Sequence, residues 1–303
     1  MSHRLFAIYR LGQPLYDAPI EQGATMKTAL ITGCSSGYGK ATADYFAAQG
    51  WNVIATMRRP DPDLFRSAGP GAVRVVRMDV TDADSIDQAI TQGLGAFGQV
   101  DVLVNNAGIG LLSPLESTPL ATIREVFETN TFGVMRTSQA VIPLMRERGQ
   151  GTIINVTSSV CFAGMPLVAP YAASKWAIEG FTEALYYELH SVGVRVRLVE
   201  PGYGPGTAFT ANGMPRMNGL ITAPYEAYAA QLFAQLGAPG AAVTTPEQVA
   251  AAIHAAATDE SEQLRFPAGP DSEHLANARW HSSDAEFLAG MQSMFCLQHR
   301  PAR

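Results

Sequence analysis

The chain has 303 residues, of which 47% are hydrophobic and 16% are charged, a balance typical of globular and not of disordered proteins. Its net charge of -6, with no block of basic residues, argues against a nucleic-acid surface, and the lack of a run of about 18 apolar residues argues against a membrane span. Three widely spaced cysteines, Cys34, Cys161 and Cys296, indicate a reducing, cytoplasmic compartment.

Residues 1–25 are interpreted as an extension before the folded core. They include Arg4 and Arg10 but no apolar stretch of signal-peptide length. Met26 is then a candidate start, and an arm packed on the surface of the core is the alternative. Residues 26–303 contain no repeat, linker or low-complexity block, so we predict one domain.

A glycine-rich turn follows the first predicted strand. Thr28–Thr32 is a short apolar run, and a helical pattern through Ala43 and Phe46 ends at Gly50. In this strand–turn–helix context, glycines let the backbone approach a pyrophosphate, and the helix N-terminus offers free N–H groups. The turn therefore predicts a dinucleotide site. Its residues are Gly33, Ser35, Ser36, Gly37, Tyr38 and Gly39.

The end of the second predicted strand indicates which dinucleotide binds. NAD-binding sites commonly place an acidic residue here for the ribose 2′-hydroxyl, but Asn52–Met57 is followed by Arg58 and Arg59. A guanidinium group suits a 2′-phosphate in charge and geometry. We therefore predict NADP(H), with solvated loop arginines as the alternative.

Further strands alternate with helices of crossover length, which predicts a parallel α/β sheet. The carboxyl ends of these strands should meet at one edge, where ligands bind. The predicted strands are Val73–Met78, Val100–Val104, Gly151–Val156 and Val194–Val199, with a short last one at Leu264–Pro267. The segments that follow them include Asp79 and Val80, then Asn106, Ala107 and Gly108, then Ser158, then Pro201 and Gly202.

One long helix is predicted from Leu120 to Arg148. Asn130 falls on its apolar stripe, where an amide is costly unless it finds hydrogen-bond partners. Asn130 is therefore either a structural hydrogen-bonding residue or part of a site.

Tyr171 and Lys175 stand four residues apart at the start of another apolar helical pattern, so both side chains lie on one face. An ammonium favours the phenolate and so lowers a tyrosine pKa. This pair is suited to proton transfer to or from a reacting oxygen. The alternative is an ordinary amphipathic helix with one exposed lysine head group.

After Gly202 the sequence becomes rich in glycine, proline, alanine and methionine. We interpret residues 203–240 as a small apolar lid over a substrate pocket, with irregular packing as the alternative. A helix is predicted from Thr245 to about Ala257, and the segment from Ser272 to Arg303 also has a helical pattern.

Together these motifs resemble the short-chain dehydrogenase/reductase family, from about Lys27 to Pro267. The resemblance implies a Rossmann-like, doubly wound parallel α/β sheet with helices on both faces. The motifs that carry it, in order, are Thr32–Gly39, Asp79–Val80, Asn105–Gly108, Asn130, Ser158, Tyr171 with Lys175, and Pro201–Gly202.

The resemblance also implies roles for four catalytic residues. Tyr171 would be the general acid in reduction and the base in oxidation, and Lys175 would lower its pKa and hold the nicotinamide ribose. Ser158, thirteen residues before Tyr171, would bond the substrate oxygen, and Asn130 would hold a water linking Lys175 to solvent. The cofactor would contact Gly33, Ser35, Ser36, Gly37, Tyr38, Gly39, Arg58, Asp79, Val80, Asn106, Ala107, Gly108, Tyr171, Lys175, Pro201, Gly202 and Thr207.

One position departs from the family pattern. Members often carry a threonine five residues after the proline of Pro201–Gly202, but Gly206 stands there and Thr207 follows. Either Thr207 contacts the nicotinamide carboxamide after a loop shift or that contact is missing.

The predicted activity is hydride transfer between NADP(H) and a secondary alcohol or ketone. Met57–Arg58 and the apolar lid resemble the family members that act on steroids, retinoids and other hydrophobic carbonyl compounds, so the resemblance implies a substrate of that class. The alternatives are an enzyme that uses NAD(H) and a non-catalytic NADP(H)-binding sensor or scaffold. His190 and His254 lie in helical patterns, and no metal-ligand spacing is evident, so we predict no metal. The resemblance suggests a homodimer or homotetramer.

Overall fold

The computed structural model describes residues 26–66, 71–236, 238 and 242–295; the predicted extension, residues 1–25, and the residues after 295 lie outside them. Seven parallel strands form one sheet in the order β3-β2-β1-β4-β5-β6-β7. The strands are β1 (Thr28–Ile31), β2 (Asn52–Met57), β3 (Val73–Arg77), β4 (Val102–Asn105), β5 (Gly151–Val156), β6 (Val194–Pro201) and β7 (Arg265–Ala268).

Helices cover both faces of this sheet, which explains why β1, β2 and β4 are buried along their whole length. The helices are α1 (Gly37–Ala48), α2 (Ala83–Phe97), α3 (Leu120–Phe127), α4 (Gly133–Arg148), α5 (Ala169–His190), α6 (Ala208–Met217), α7 (Ala223–Leu236), α8 (Pro246–Thr258), α9 (Pro270–Trp280) and α10 (Asp284–Met294).

Two apolar cores lie on opposite faces of the sheet. One joins α1 to α8 through Phe46 and Ile253, and the other joins α2, α4 and α5 through Ile86, Val141 and Leu185. The chain runs outward from β1 to β3 and then returns to β4 beside β1. The strand order thus reverses between β1 and β4, and such a reversal opens a crevice for ligands at the carboxyl ends of the strands.

The predicted doubly wound parallel sheet is confirmed, including the short last strand, which pairs with β6 from Leu198 to Pro201. The single helix predicted from Leu120 to Arg148 is instead interrupted. Glu128–Phe132 forms a π-helical turn between α3 and α4, and Asn130 lies inside it.

The segment predicted as a lid contains α6 and α7, with residues 237, 239 and 240 outside the described part. The tail contains α9 and α10. Within the described ranges, no helix combines the length and the apolar character needed to cross a bilayer.

Candidate active site

The glycine-rich turn after β1 is shaped for close approach. Gly33 adopts a φ of +76°, and a Cβ there would lie 2.9 Å from the Cα of Ala107, so a larger residue would collide with the segment after β4. A Cβ at Gly39 would overlap the carbonyl oxygen of Gly33. The turn therefore folds tightly against the neighbouring strand end, as a dinucleotide-binding turn must.

The N-terminus of α1 is left open toward the crevice. Its N-cap residue, Ser36, is extended and makes no side-chain capping bond, whereas the N-caps of α2 and α8 each accept one from the backbone. The first N–H groups of a helix need an acceptor from outside it. A nucleotide pyrophosphate would supply those acceptors, so this turn fits the cofactor.

The side chain of Asn106 ties the end of β4 to the end of β1. Its Nδ2 donates to the carbonyl oxygens of Thr32 (2.8 Å) and Gly33 (3.3 Å). In return, Oγ1 of Thr32 accepts from the backbone N–H groups of Asn106 (3.0 Å) and Ala107 (2.9 Å). Both sides of the crevice are thereby held at a fixed separation.

Arg58 follows the end of β2 and is exposed. Its positive charge acts on the carboxylate of Asp79, which lies two residues after the end of β3. Burial alone would raise the pKa of Asp79, but hydrogen bonds from Thr81 and the charges of Arg58 and Arg77 lower it overall. Val80 packs on α4, where a Cβ at Gly133 would lie 2.8 Å from it. The structure thus brings Arg58, Asp79 and Val80 to one end of the crevice.

Tyr171 occupies the first turn of α5 and is buried beside Ser158, the residue two after the end of β5. Burial raises the pKa of Tyr171, and the hydroxyl of Ser158 lies close enough to oppose that rise by hydrogen bonding. The structure therefore places the predicted phenol and hydroxyl side by side.

Lys175 is also buried, and its Nζ donates to the carbonyl oxygen of Val156 at 2.9 Å. Burial lowers the pKa of Lys175 to about 8, while Cys161 and Glu179 act in the opposite direction. Burial thus makes this ammonium easier to deprotonate than that of an exposed lysine.

Asn130 bonds to a neighbouring loop from within the π turn. Its Oδ1 accepts from the backbone N–H of Ile109 (2.8 Å), and its Nδ2 donates to the Ile109 carbonyl (2.9 Å) and to Oγ of Ser174 (3.1 Å). A Cβ at Gly108 would lie 3.3 Å from Asn130 Oδ1 and 3.6 Å from Lys175 Nζ. Asn130 is thus a structural hydrogen-bonding residue that also borders the site.

The segment after β6 closes the crevice from the other side. Thr207 is the N-cap of α6, and its Oγ1 donates to the carbonyl of Gly204 at 3.0 Å. Its methyl carbon would lie 3.7 Å from a Cβ at Gly37, so Thr207 faces the glycine-rich turn. Tyr38 Oη lies 3.5 Å from the carbonyl oxygen of Gly202, and burial raises the pKa of Tyr38 to about 12.

Three residues near this site were not predicted from the sequence. Phe209 of α6 packs against the Tyr171 ring, and Asp271 of α9 accepts from the backbone N–H of Tyr203 at 2.6 Å. Glu179 lies buried one turn beyond Lys175. Only Glu179 carried a usable signal, because it repeats the four-residue spacing from Tyr171 to Lys175.

A family model described as short chain dehydrogenase matches residues 27–216. An uncharacterized oxidoreductase of Schizosaccharomyces pombe is 37% identical over 217 residues, which is 72% of this chain and 90% of that protein. A 3-ketodihydrosphingosine reductase of Bacteroides thetaiotaomicron is 44% identical over 186 residues, 60% of this chain and 65% of that protein. Among solved structures, a short-chain dehydrogenase from Streptomyces avermitilis superimposes with a TM-score of 0.72 at 30% identity, over 91% of this chain and 99% of the other.

Proposed function

The chain belongs to the short-chain dehydrogenase family, and from this premise we propose that it is an NADP(H)-dependent oxidoreductase acting on secondary alcohols or ketones. Family membership establishes oxidoreductase chemistry with a nicotinamide cofactor. The proposal adds the choice of NADP(H), the hydrophobic carbonyl substrate and the role of each residue.

One observation carries the proposal: a buried phenol, a buried ammonium and a hydroxyl converge where the carboxyl end of β5 meets the start of α5. A structural helix has no need for a buried lysine, because desolvation of its charge is costly. The arrangement instead suits an oxygen atom that gains or loses a proton during the reaction. It also favours an enzyme over a non-catalytic sensor.

The cofactor, when bound, supplies or accepts the hydride. In reduction, Tyr171 donates its phenolic proton to the carbonyl oxygen, and in oxidation the phenolate takes the proton back. Ser158 holds that oxygen by a hydrogen bond. Lys175 stabilises the phenolate by charge and binds ribose hydroxyls, and Asn130 supports the adjoining loop, where a water would connect Lys175 to solvent.

NADP(H) is favoured over NAD(H) by charge at the end of β2. Arg58 is exposed, so its guanidinium is accessible to a 2′-phosphate, and it stands where a carboxylate would be expected for NAD(H). Ser35 is exposed at the same end of the glycine-rich turn, where its hydroxyl would add a second donor. A 2′-phosphate is negatively charged and accepts hydrogen bonds, so the Arg58 guanidinium and the Ser35 hydroxyl suit it as donors.

A hydrophobic carbonyl substrate is supported by the surroundings of Tyr171. Leu111, Val126, Val160 and Val168 form an apolar cluster with the Tyr171 ring. We propose that α6 and α7 close over this cluster as a lid. The relative of Bacteroides thetaiotaomicron is named for reduction of a sphingoid ketone, which fits a long apolar substrate.

The proposal is tested by a panel of ketones, from acetone-sized compounds to steroid and long-chain ketones, followed by NADPH absorbance with NADH as control. We expect turnover of the apolar members with NADPH. Cofactor binding without turnover across the whole panel, in both directions, would favour the sensor function and contradict this proposal.

A further inference from the structure

A ladder of three polar side chains runs along the buried face of α5. Tyr171, Lys175 and Glu179 are spaced at four-residue intervals, so they lie one above another on the same face of the helix. All three are buried, with Glu179 only 3% exposed. The two upper members belong to the proposed catalytic site, but the lowest, Glu179, has no role there so far.

The side chains of this ladder interact with three consecutive residues at the end of β5, which are Val156, Thr157 and Ser158. Lys175 Nζ donates to the carbonyl of Val156, and Oγ1 of Thr157 donates to Oε1 of Glu179 at 2.6 Å. The next residue in the chain is Ser158, which lies beside Tyr171. Glu179 is therefore attached to the same short segment that positions the catalytic hydroxyl.

Behind the ladder, Arg265 of β7 joins two buried carboxyl groups. Its guanidinium lies 3.1 Å from Oε2 of Glu179 and 3.6 Å from Oε1 of Glu200, and it also reaches the exposed Glu183 at 2.6 Å. Glu200 is completely buried. The single guanidinium cannot neutralise both buried carboxylates, so one of the two must be protonated or be balanced by another cation.

Of the two buried carboxyl groups, Glu179 has the surroundings that better favour the carboxylate form. Glu179 accepts hydrogen bonds from both Thr157 and Arg265. Glu200 accepts one at Oε2, from the backbone N–H of Phe266 at 3.1 Å, and its Oε1 has no hydrogen-bond partner among the described residues. Burial raises the pKa of both groups, but the pKa of Glu200 lies well above its ordinary value. Glu179 lies one turn beyond Lys175 on the same face of α5, and its charge raises the pKa of Lys175.

We propose that Glu179, held by Thr157 and Arg265, is a positioning residue that keeps Lys175 protonated in its buried site. The inference rests on the proposed function, in which the Lys175 cation stabilises the Tyr171 phenolate. In this role Glu179 acts through Lys175 and through the segment that carries Ser158, to which Thr157 joins it.

Titratable groups from several elements act on the ladder: Cys161 and Tyr38 act on Tyr171, and Cys161 and Glu179 act on Lys175. Lys175 lies one turn beyond Tyr171 and one turn before Glu179 on α5, and the buried thiol of Cys161 also acts on its pKa. The Cys161 thiol is neutral near pH 7, because burial raises its pKa. Glu179 is therefore the source of negative charge that opposes the desolvation of Lys175. The charged or titratable groups around Glu179 itself are Lys175, Cys161, Glu183, Glu200 and Arg265.

The chain offers a direct test, because its only lysines are Lys27, Lys40 and Lys175. With 13Cε-labelled lysine, an NMR spectrum contains three lysine signals, and that of Lys175 is assigned from the Lys175→Arg variant. We expect Glu179→Gln to move the titration midpoint of Lys175 to lower pH by roughly one to two units. The substitution removes a negative charge that favours the Lys175 ammonium in a poorly solvated site. Glu179→Gln preserves the size of the side chain and the acceptor for Thr157.

Two matched variants complete the design. Glu179→Asp keeps the charge and should leave the midpoint within roughly half a unit of the wild-type value. Glu183→Gln removes an equal charge that also pairs with Arg265 but is exposed, and it should not move the midpoint. An unchanged midpoint in Glu179→Gln, or an equal shift in Glu183→Gln, would overturn the inference.

The titration needs no turnover, so it separates this inference from the proposed function. A ketone panel without activity would contradict the proposed function while the Lys175 midpoint still decides the role of Glu179. Where turnover is present, kcat/KM for ketone reduction falls at high pH as Lys175 loses its proton. In Glu179→Gln this fall should begin at lower pH, by the same shift as the NMR midpoint.

Discussion

The ring of Phe209 packs edge-on against the ring of Tyr171, with centroids 5.8 Å apart and planes at 62°. Phe209 belongs to α6, in the proposed lid, and Tyr171 to α5, in the sheet-bound body of the protein. A Cβ at Gly110 would lie 2.7 Å from the Phe209 ring, so this glycine makes room for it. An aromatic side chain thus stands over the phenol that is proposed to transfer the proton.

Phe209→Ala should change the size preference of the enzyme. Removing the ring opens space above Tyr171, so we expect kcat/KM to rise for bulky ketones and to fall about tenfold for small ones, which lose an apolar wall. Steady-state kinetics with ketones of graded size measure the effect. Phe233→Ala, an exposed phenylalanine on α7, is the control. An equal change for all ketone sizes would contradict a role for Phe209 in selecting substrates.

Tyr171→Phe should remove turnover and keep cofactor binding. Loss of the phenolic proton donor should lower kcat by about 10²–10⁴-fold, the range for a general acid, while the ring remains to pack against its apolar neighbours. Ketone reduction and NADPH fluorescence titration measure the two effects. Tyr187→Phe, which alters an exposed ring on the same helix, should behave like the wild type, and near-normal activity in Tyr171→Phe would refute the assigned role.

Ketone reduction should fall as pH rises through about 8, the value to which burial lowers the pKa of Lys175. The lysine cation is present below that pH and lost above it, and with it goes the stabilisation of the Tyr171 phenolate. A profile of kcat/KM from pH 6 to pH 10 tests this sign. A rate that stays constant to pH 10 would show that Lys175 keeps its proton in the working enzyme.

Arg58→Asp should shift the cofactor preference toward NADH. A hydrogen bond to a charged group contributes about 1.5–3 kcal/mol, so we expect NADPH to bind about 10–100-fold more weakly while NADH binding changes little. Fluorescence titrations with both cofactors provide the measurement. Arg66→Asp, at an exposed arginine paired with Asp63, is the control. An equal loss of both cofactors would contradict the choice of NADP(H).

Asn155→Ala should destabilise the fold more than its small volume change suggests. Asn155 stands opposite Asn105 in the register of β4 and β5, accepts from Asn105 Nδ2 at 2.9 Å and donates to Thr182 at 2.8 Å. Its loss leaves buried polar groups without partners, which we expect to lower the free energy of unfolding by about 2–4 kcal/mol. Urea denaturation measures this. Ser191→Ala, at an exposed serine, should stay within about 0.5 kcal/mol of wild type.

The parallel sheet and the meeting of its strand ends at one edge could be predicted because they depend on local patterns. Short apolar runs separated by helices specify strands, and the glycines after β1 specify a turn, so the residues following each strand could be placed at one edge. Arg58 and Asp79 lie near enough for the charge of one to act on the other because β2 and β3 are neighbours. Their closeness follows from the order of the strands alone and does not depend on how their side chains pack.

The parts that could not be predicted depend on partners far away in the chain. In the sequence, Glu179 cannot be told from an exposed helical glutamate, because its partner Arg265 lies 86 residues later, in β7. The partners of Asn130 lie on the loop at Ile109, and neither residue reveals the other in the sequence. Phe209 is one of several apolar residues in a segment without clear periodicity, so its position over Tyr171 depends on how α6 packs.

The π-helical turn at Glu128–Phe132 also sets the number of residues that must separate α3 from α4. A π turn holds one more residue than an α turn, and such turns commonly arise at functional sites. Deletion of a single residue here would allow α3 and α4 to join as one regular helix, but the amide of Asn130 would rotate away from Ile109. Loops elsewhere on the surface tolerate insertions and deletions, whereas this helix cannot lose a residue without losing one wall of the site.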